Sequence, residues 1–85
     1  MNILVATAAA AAWRKALELQ PGMAALEKGL ARALFAGRAY EEALPLLAKH
    51  GMEAELGEAL LETGKAAEAI PHLLKARGAG AALGR

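Results

Sequence analysis

Two short segments, Glu42-Ala-Leu-Pro-Leu-Leu-Ala-Lys49 and Glu68-Ala-Ile-Pro-His-Leu-Leu-Lys75, repeat each other at a spacing of 26 residues. The segments before them, Leu30-Ala-Arg-Ala-Leu-Phe35 and Leu56-Gly-Glu-Ala-Leu-Leu61, repeat at the same spacing. In each segment leucine and alanine recur at intervals of three and four residues, which is the period of one helix face. A helix pair repeated at a fixed period is typical of helical repeat proteins, in which each unit packs on the next.

The composition also favours helices. The 85 residues include 24 alanines and 15 leucines, both strong helix formers. Strand-forming β-branched residues are few: Ile3, Val5, Thr7, Thr63 and Ile70. The sequence has no Ser, Asp or Cys, which excludes a Ser-His-Asp triad, a cysteine nucleophile, disulfides and a thiolate zinc site. Ten basic and nine acidic residues give a net charge of +1, without the basic surplus of a nucleic-acid-binding protein. We expect an all-α protein that is not an enzyme and binds no nucleic acid.

Turn-forming residues divide the chain into five stretches, each short enough for one helix. The predicted helices cover residues 3–19, 23–36, 40–49, 52–63 and 66–77. Pro45 and Pro71 stand at equivalent places early in two of them, where a missing N–H costs least. A Gly/Ala-rich segment, 78–85, follows and is predicted to be a flexible tail.

The repeated segments resemble tetratricopeptide repeats, a family that alternates a helix A and a helix B. One repeat matches the family pattern at Leu56-Gly57, Ala59-Leu60, Gly64, Ala69, Leu73 and Ala76. Another matches at Leu30-Ala31, Ala33-Leu34, Tyr40, Ala43 and Leu47, with Gly37 displaced by one residue from its turn position. Ala9, Trp13 and the segment 16–21 resemble helix B and the proline exit of a third repeat. The family period is about 34 residues, and the chain is eight residues short of it around His50-Gly51-Met52.

The resemblance implies a right-handed α-solenoid of about five short antiparallel helices in a single domain, residues 1–77. Residues 3–19 would be a lone helix B. A shortened repeat would span 23–50, and a second repeat would span 52–77.

The resemblance also implies a concave groove, lined by the A helices, that binds a peptide or a helix. The residues that it places there are Lys28, Arg32, Phe35, Glu58, Leu61 and Glu62, with Ala25, Ala36 and Ala54 beside them. Lys28 and Arg32 are four residues apart and therefore project from one helix face. Either this pair holds a peptide carboxylate, or it forms ion pairs with Glu58 and Glu62 on the neighbouring helix.

The histidines and the tryptophan are assigned structural roles. A metal site at His50 and His72 would have only glutamates as further ligands, so we expect no metal and no cofactor. His50 precedes a glycine at a helix end, where a cation interacts favourably with the helix dipole. The spacing of Trp13 matches a core position, although an aromatic anchor for a partner is the alternative.

Two apolar surfaces have no partner in the predicted fold. The first lies on the first helix and comprises Ile3, Leu4, Val5 and Ala8; the second lies on the last helix and comprises Leu73 and Leu74. We expect this assembly surface to bury itself against a second copy or a partner protein. The uncharged run 2–12 is too short to span a membrane and has no basic residues before it. We therefore expect no membrane insertion and, with no cysteine present, a cytoplasmic location.

The expected function is a non-enzymatic protein–protein interaction module, a scaffold or an adaptor. Two alternatives remain open. The chain also resembles the small tetratricopeptide-like chaperones of type III secretion, which hold an amphipathic helix of a client against the concave face. The abundance of Ala, Leu and Glu is also typical of a designed or structural helical scaffold without a native ligand.

Overall fold

The computed structural model describes the backbone of residues 2–83 and the side chains of residues 2–78. This part of the chain forms five α-helices and no strand, which confirms the predicted all-α class. The helices are α1 (Ile3–Leu19), α2 (Ala24–Ala36), α3 (Tyr40–Lys49), α4 (Glu53–Glu62) and α5 (Ala66–Leu83).

The first helix begins where it was predicted to begin, whereas the last helix extends beyond its predicted end. The uncharged N-terminal run is helical, and the Asn2 side chain accepts a hydrogen bond from the Val5 amide at 2.8 Å to begin α1. At the other end α5 continues six residues beyond the predicted boundary at Arg77. The alanines of this segment are strong helix formers, which compensates for its glycines. The predicted tail is therefore helical up to Leu83, and residues 84–85 lie outside the described part.

Each helix packs against the next helix in sequence: α1 on α2, α2 on α3, α3 on α4 and α4 on α5. The first pair is antiparallel, because Trp13 lies beside Gly29 while the earlier Ala6 lies beside the later Gly37. The described chain extends about 39 × 27 × 21 Å along its three principal axes. Packing between sequence neighbours is the arrangement that a helical repeat requires. The right-handed superhelix stays a prediction.

The 26-residue repeat is a repeat of core positions. Corresponding residues of the two units are buried together, in the pairs Leu30 and Leu56, Ala33 and Ala59, Leu34 and Leu60, and Ala43 and Ala69. Leu47 is completely buried, whereas its counterpart Leu73 is only partly buried against the same core. The core is therefore less completely buried at α5 than at α3.

The turns from α2 to α3, α3 to α4 and α4 to α5 share one hydrogen-bond pattern. In each turn, two backbone amides after the helix donate hydrogen bonds to carbonyls of its last turn. One example is the Ala39 N–H, which donates to the Leu34 carbonyl at 2.8 Å. This is the Schellman motif, which needs a left-handed residue directly after the C-cap. Gly51 and Gly64 take that conformation with φ of 61° and 80°, and Arg38 takes it with φ of 64°. The displacement of Gly37 thus has a structural consequence, since an arginine stands where the other turns have glycine.

Two helix pairs approach closely over a glycine. A Cβ atom on Gly29 would lie 2.6 Å from the Trp13 ring, and one on Gly57 would lie 2.5 Å from the Leu73 side chain. Trp13 is partly buried and packs against the core, as its spacing predicted. Small residues at these crossings let α1 approach α2 and α5 approach α4.

Candidate functional site

The charged residues predicted to line a concave groove lie on α2 and α4, and their role in binding stays a prediction. Lys28, Arg32, Glu58 and Glu62 are all exposed, and α2 and α4 share no extensive contact in the described part. The alternative in which these four side chains form ion pairs is wrong, because none of them makes an ion pair among the described residues. The charged side chains instead stand on the free faces of their helices.

The two apolar members of that predicted groove differ from each other. Phe35 is partly buried, and its ring meets the Tyr40 ring edge-on with 5.7 Å between the ring centroids. This pair fills the junction between α2 and α3, so Phe35 is part of the packing. Leu61 is 47% exposed on α4.

An open groove lies elsewhere, between α3 and α5 above α4. Its volume is about 670 Å³, and Leu56 and Leu60 of α4 form its buried apolar floor. The remaining lining residues are Glu41, Leu44, Pro45 and Ala48 from α3 and Lys65, Glu68, Pro71 and His72 from the α5 side. We call this feature the α3–α5 groove. It is an apolar slot with charged side chains at its rim.

The repeated prolines belong to this groove. Pro45 and Pro71 are each the sixth residue of their helix, where an N–H would bond within the helix, so the expectation that its loss costs least there is wrong. A proline there donates no hydrogen bond to the carbonyl four residues earlier, at Glu41 or at Ala67. Both rings contribute to the apolar walls of the groove.

A smaller cavity of about 140 Å³ lies between α1 and α3 above α2. Its lining comprises Thr7, Ala10 and Arg14 from α1, with Ala33, Leu34, Gly37, Ala39 and Glu42 from the neighbouring elements. The Arg14 guanidinium crosses to Glu42 and makes an ion pair with its carboxylate. This ion pair ties α1 to α3 across the opening.

Two glutamates, each near the start of a helix, join that helix to the next one in sequence. Glu27 at the start of α2 accepts hydrogen bonds from Lys49 and His50, both at 2.8 Å. Its side chain is only 13% exposed. The Lys49 ammonium, followed by the His50 imidazole, holds the pKa of the Glu27 carboxyl below its ordinary value. His50 does cap α3, as predicted, but its imidazole bonds to this carboxylate.

A second cluster has its glutamate and its lysine at the repeat-equivalent positions, whereas its histidine comes from a different position. Glu53 at the start of α4 lies 2.5 Å from His72 and 3.9 Å from Lys75. It follows Glu27 by 26 residues, as Lys75 follows Lys49. Sequence reasoning missed these clusters, although the recurring Glu–Lys spacing was a usable signal. Among the described residues no three potential ligands come together as a metal site.

The predicted assembly surface is exposed at most of its positions. On α1, Leu4 is 81% exposed, and Ile3, Val5 and Ala8 are exposed as well. On α5, Leu74 is 60% exposed, whereas Leu73 packs partly against the core.

Comparison with known proteins identifies neither a family nor a relative for this chain. No family model matches the chain, and no curated protein or solved structure is detectably similar to it. Within the described residues, none of the helices combines the length and the apolar character that crossing a bilayer requires.

Proposed function

We propose that this chain is a non-enzymatic interaction module, built on tetratricopeptide-like helix pairs, that binds a peptide or helix of a partner protein. The α3–α5 groove is the observation that carries the proposal. Its floor is apolar, its two walls are helices, and its rim carries the charged groups Glu41, Lys65 and Glu68. An amphipathic helix that lays its apolar face into such a slot is a recurrent mode of peptide recognition.

The proposed site is not the one that the family resemblance implied. The charged residues that the resemblance placed in the groove are exposed on α2 and α4, whereas the apolar lining of the α3–α5 groove comes from α3, from the buried face of α4 and from Pro71 of α5. A helical client, as in the chaperone alternative, would use the same mode of binding. We also propose that the exposed apolar surface of α1 and α5 supports assembly, and that the protein acts in the cytoplasm.

Selection from a phage-displayed library of random peptides tests the proposal. We expect the selected peptides to carry apolar residues at i, i+3, i+4 and i+7, the pattern of one helix face. Adding a selected peptide to ¹⁵N-labelled protein should shift the amide signals that surround Leu44, Leu60 and Pro71 in the α3–α5 groove.

A matched pair of substitutions makes the test specific. Ala48→Phe places a ring inside the groove, and Ala54→Phe places the same ring on the exposed face of α4. The first variant should lose the peptide and the second should keep it, with circular dichroism checking both folds. Failure to enrich any peptide, or loss of binding in Ala54→Phe alone, would contradict the proposal.

A further inference from the structure

The small cavity and the α3–α5 groove are the same place in successive repeats. Three residues of α1 line the first, Thr7, Ala10 and Arg14; those 34 positions later line the second, Glu41, Leu44 and Ala48. The opposite side repeats at 26 positions, with Leu34, Ala39 and Glu42 in the first and Leu60, Lys65 and Glu68 in the second. The two sites therefore compare position by position.

One pair of these positions decides how open each site is. In the first site Arg14 reaches across to Glu42, and the enclosed volume is about 140 Å³. In the second site Ala48 takes the place of Arg14, and the volume is about 670 Å³. Glu68, which corresponds to Glu42, makes no ion pair within the described residues. The second site thus has the acidic half of the ion pair without the basic half.

We propose that the partner supplies the missing arginine. In this proposal, which rests on the proposed function, the α3–α5 groove binds an amphipathic helical segment whose guanidinium pairs with Glu68, as Arg14 pairs with Glu42. The apolar side chains beside that arginine cover Leu44, Leu56 and Leu60. The ligand is therefore a basic amphipathic helix of another protein.

The charges around the groove favour this occupant. Glu41 on the facing wall also makes no ion pair among the described residues, so two carboxylates flank the slot. Lys65 lies three residues before Glu68 but makes no ion pair with it among the described residues. A guanidinium suits such a carboxylate better than an ammonium, because it donates two parallel hydrogen bonds and is less strongly hydrated.

Two synthetic peptides test the proposal directly. Both are fluorescein-labelled, N-acetylated alanine-based helices with leucines along one face. They differ in one central residue, which is arginine in one peptide and its neutral isostere citrulline in the other. Fluorescence anisotropy should show that the arginine peptide binds the full chain about two- to fivefold more tightly, the usual scale of one solvent-exposed ion pair.

Three variants assign that difference to Glu68. Glu68→Gln should abolish the preference for arginine, while Glu58→Gln, on the exposed face of α4, should preserve it. Ala48→Arg restores the arrangement of the first site inside the chain, and it should displace both peptides from the groove.

Each other outcome rejects the proposal in a recognisable way. Equal binding of both peptides, with Ala48→Phe blocking both, would leave the proposed function intact but would reject the pairing of a partner arginine with Glu68. Binding of neither peptide would overturn the inference. If light scattering then showed a dimer that Ala48→Phe dissociates, the groove would instead belong to a second copy of the chain.

Discussion

Arg38 adopts a backbone conformation that is unfavourable for a residue with a side chain. Its φ of 64° is left-handed, and the equivalent places in the next two turns are Gly51 and Gly64. An L-residue with a side chain pays about 1–2 kcal/mol in that region, a cost that glycine avoids. We predict that Arg38→Gly raises the free energy of unfolding by about 1 kcal/mol, measured by urea denaturation.

The neighbouring turns provide the reverse experiment. Gly51→Ala and Gly64→Ala should each lower the free energy of unfolding by about 1 kcal/mol, because alanine must then adopt the same strained φ. A Cβ atom at either position meets nothing within 4 Å, so a steric clash would not contribute. If Arg38→Gly left stability unchanged while both alanine variants lost it, the strain assigned to Arg38 would be wrong.

Gly29 is required by the approach of α1 to α2. A Cβ atom there would lie 2.6 to 2.7 Å from three ring atoms of Trp13, so the indole or the helix must move. We predict that Gly29→Ala lowers the free energy of unfolding by about 1–3 kcal/mol, the usual cost of overpacking. The displaced indole should also change the tryptophan fluorescence, which reports on the surroundings of Trp13 because it is the single tryptophan.

Substitution of Gly78 is the control that separates the steric effect of an added Cβ atom from its effect on helix propensity. It lies exposed in α5, and a Cβ atom there meets nothing within 4 Å. Gly78→Ala should therefore stabilise the chain by up to about 1 kcal/mol. Equal gains from Gly29→Ala and Gly78→Ala would disprove the close packing of α1 on α2.

At the scale of the elements, a glutamate in the first turn of one helix is tied to the end of the next. The Lys49 ammonium and the His50 imidazole lower the pKa of Glu27. The folded chain therefore binds a proton at Glu27 less readily than the unfolded chain does, whose value is about 4.3. The resulting stability is complete above that value and is lost as the pH falls through the lower folded-state pKa.

We predict that Glu27→Gln makes unfolding less sensitive to acid. At neutral pH the variant should be less stable than the parent, and the two should converge as the pH falls below about 4. Urea denaturation across this range measures the convergence. Glu58→Gln is the control, because Glu58 is exposed and makes no ion pair among the described residues. Parallel pH curves for Glu27→Gln and the parent would refute the role of the cluster.

Helix boundaries were predictable from local chemistry, whereas the position of the α3–α5 groove, which we propose as the site, was not. Glycine and proline punctuation placed the ends of α1 and α3 correctly and those of α2 and α4 within one residue. The groove depends on which helix faces meet, and that is set by the helix lengths and the short turns. The family resemblance assigned Lys28 and Arg32 of α2 to a binding face, whereas Leu44 and Pro71 are among the residues that line the groove that we propose as the site.

Across the whole molecule, the 26-residue repeat produces one further apolar surface, on α5, that no helix of the described chain covers. Ala67, Ile70 and Leu74 on α5 follow the groove-lining residues of α3 by 26 positions. They are exposed, with Ile70 at 56%. Residues that line a site between α3 and α5 therefore recur on the far side of α5, where the described chain places no further helix. Together with the exposed start of α1, they form the surface that we propose for assembly.

We predict that the chain self-associates through this surface. Light scattering behind a sizing column should give a mass above the 8.7 kDa of one chain at high concentration. Leu4→Glu and Leu74→Glu should each return it to the monomer, because both side chains are more than half exposed and contribute little to the core. Leu61→Glu, on the exposed face of α4, should leave the mass unchanged. A monomer at every concentration would contradict self-association through this surface.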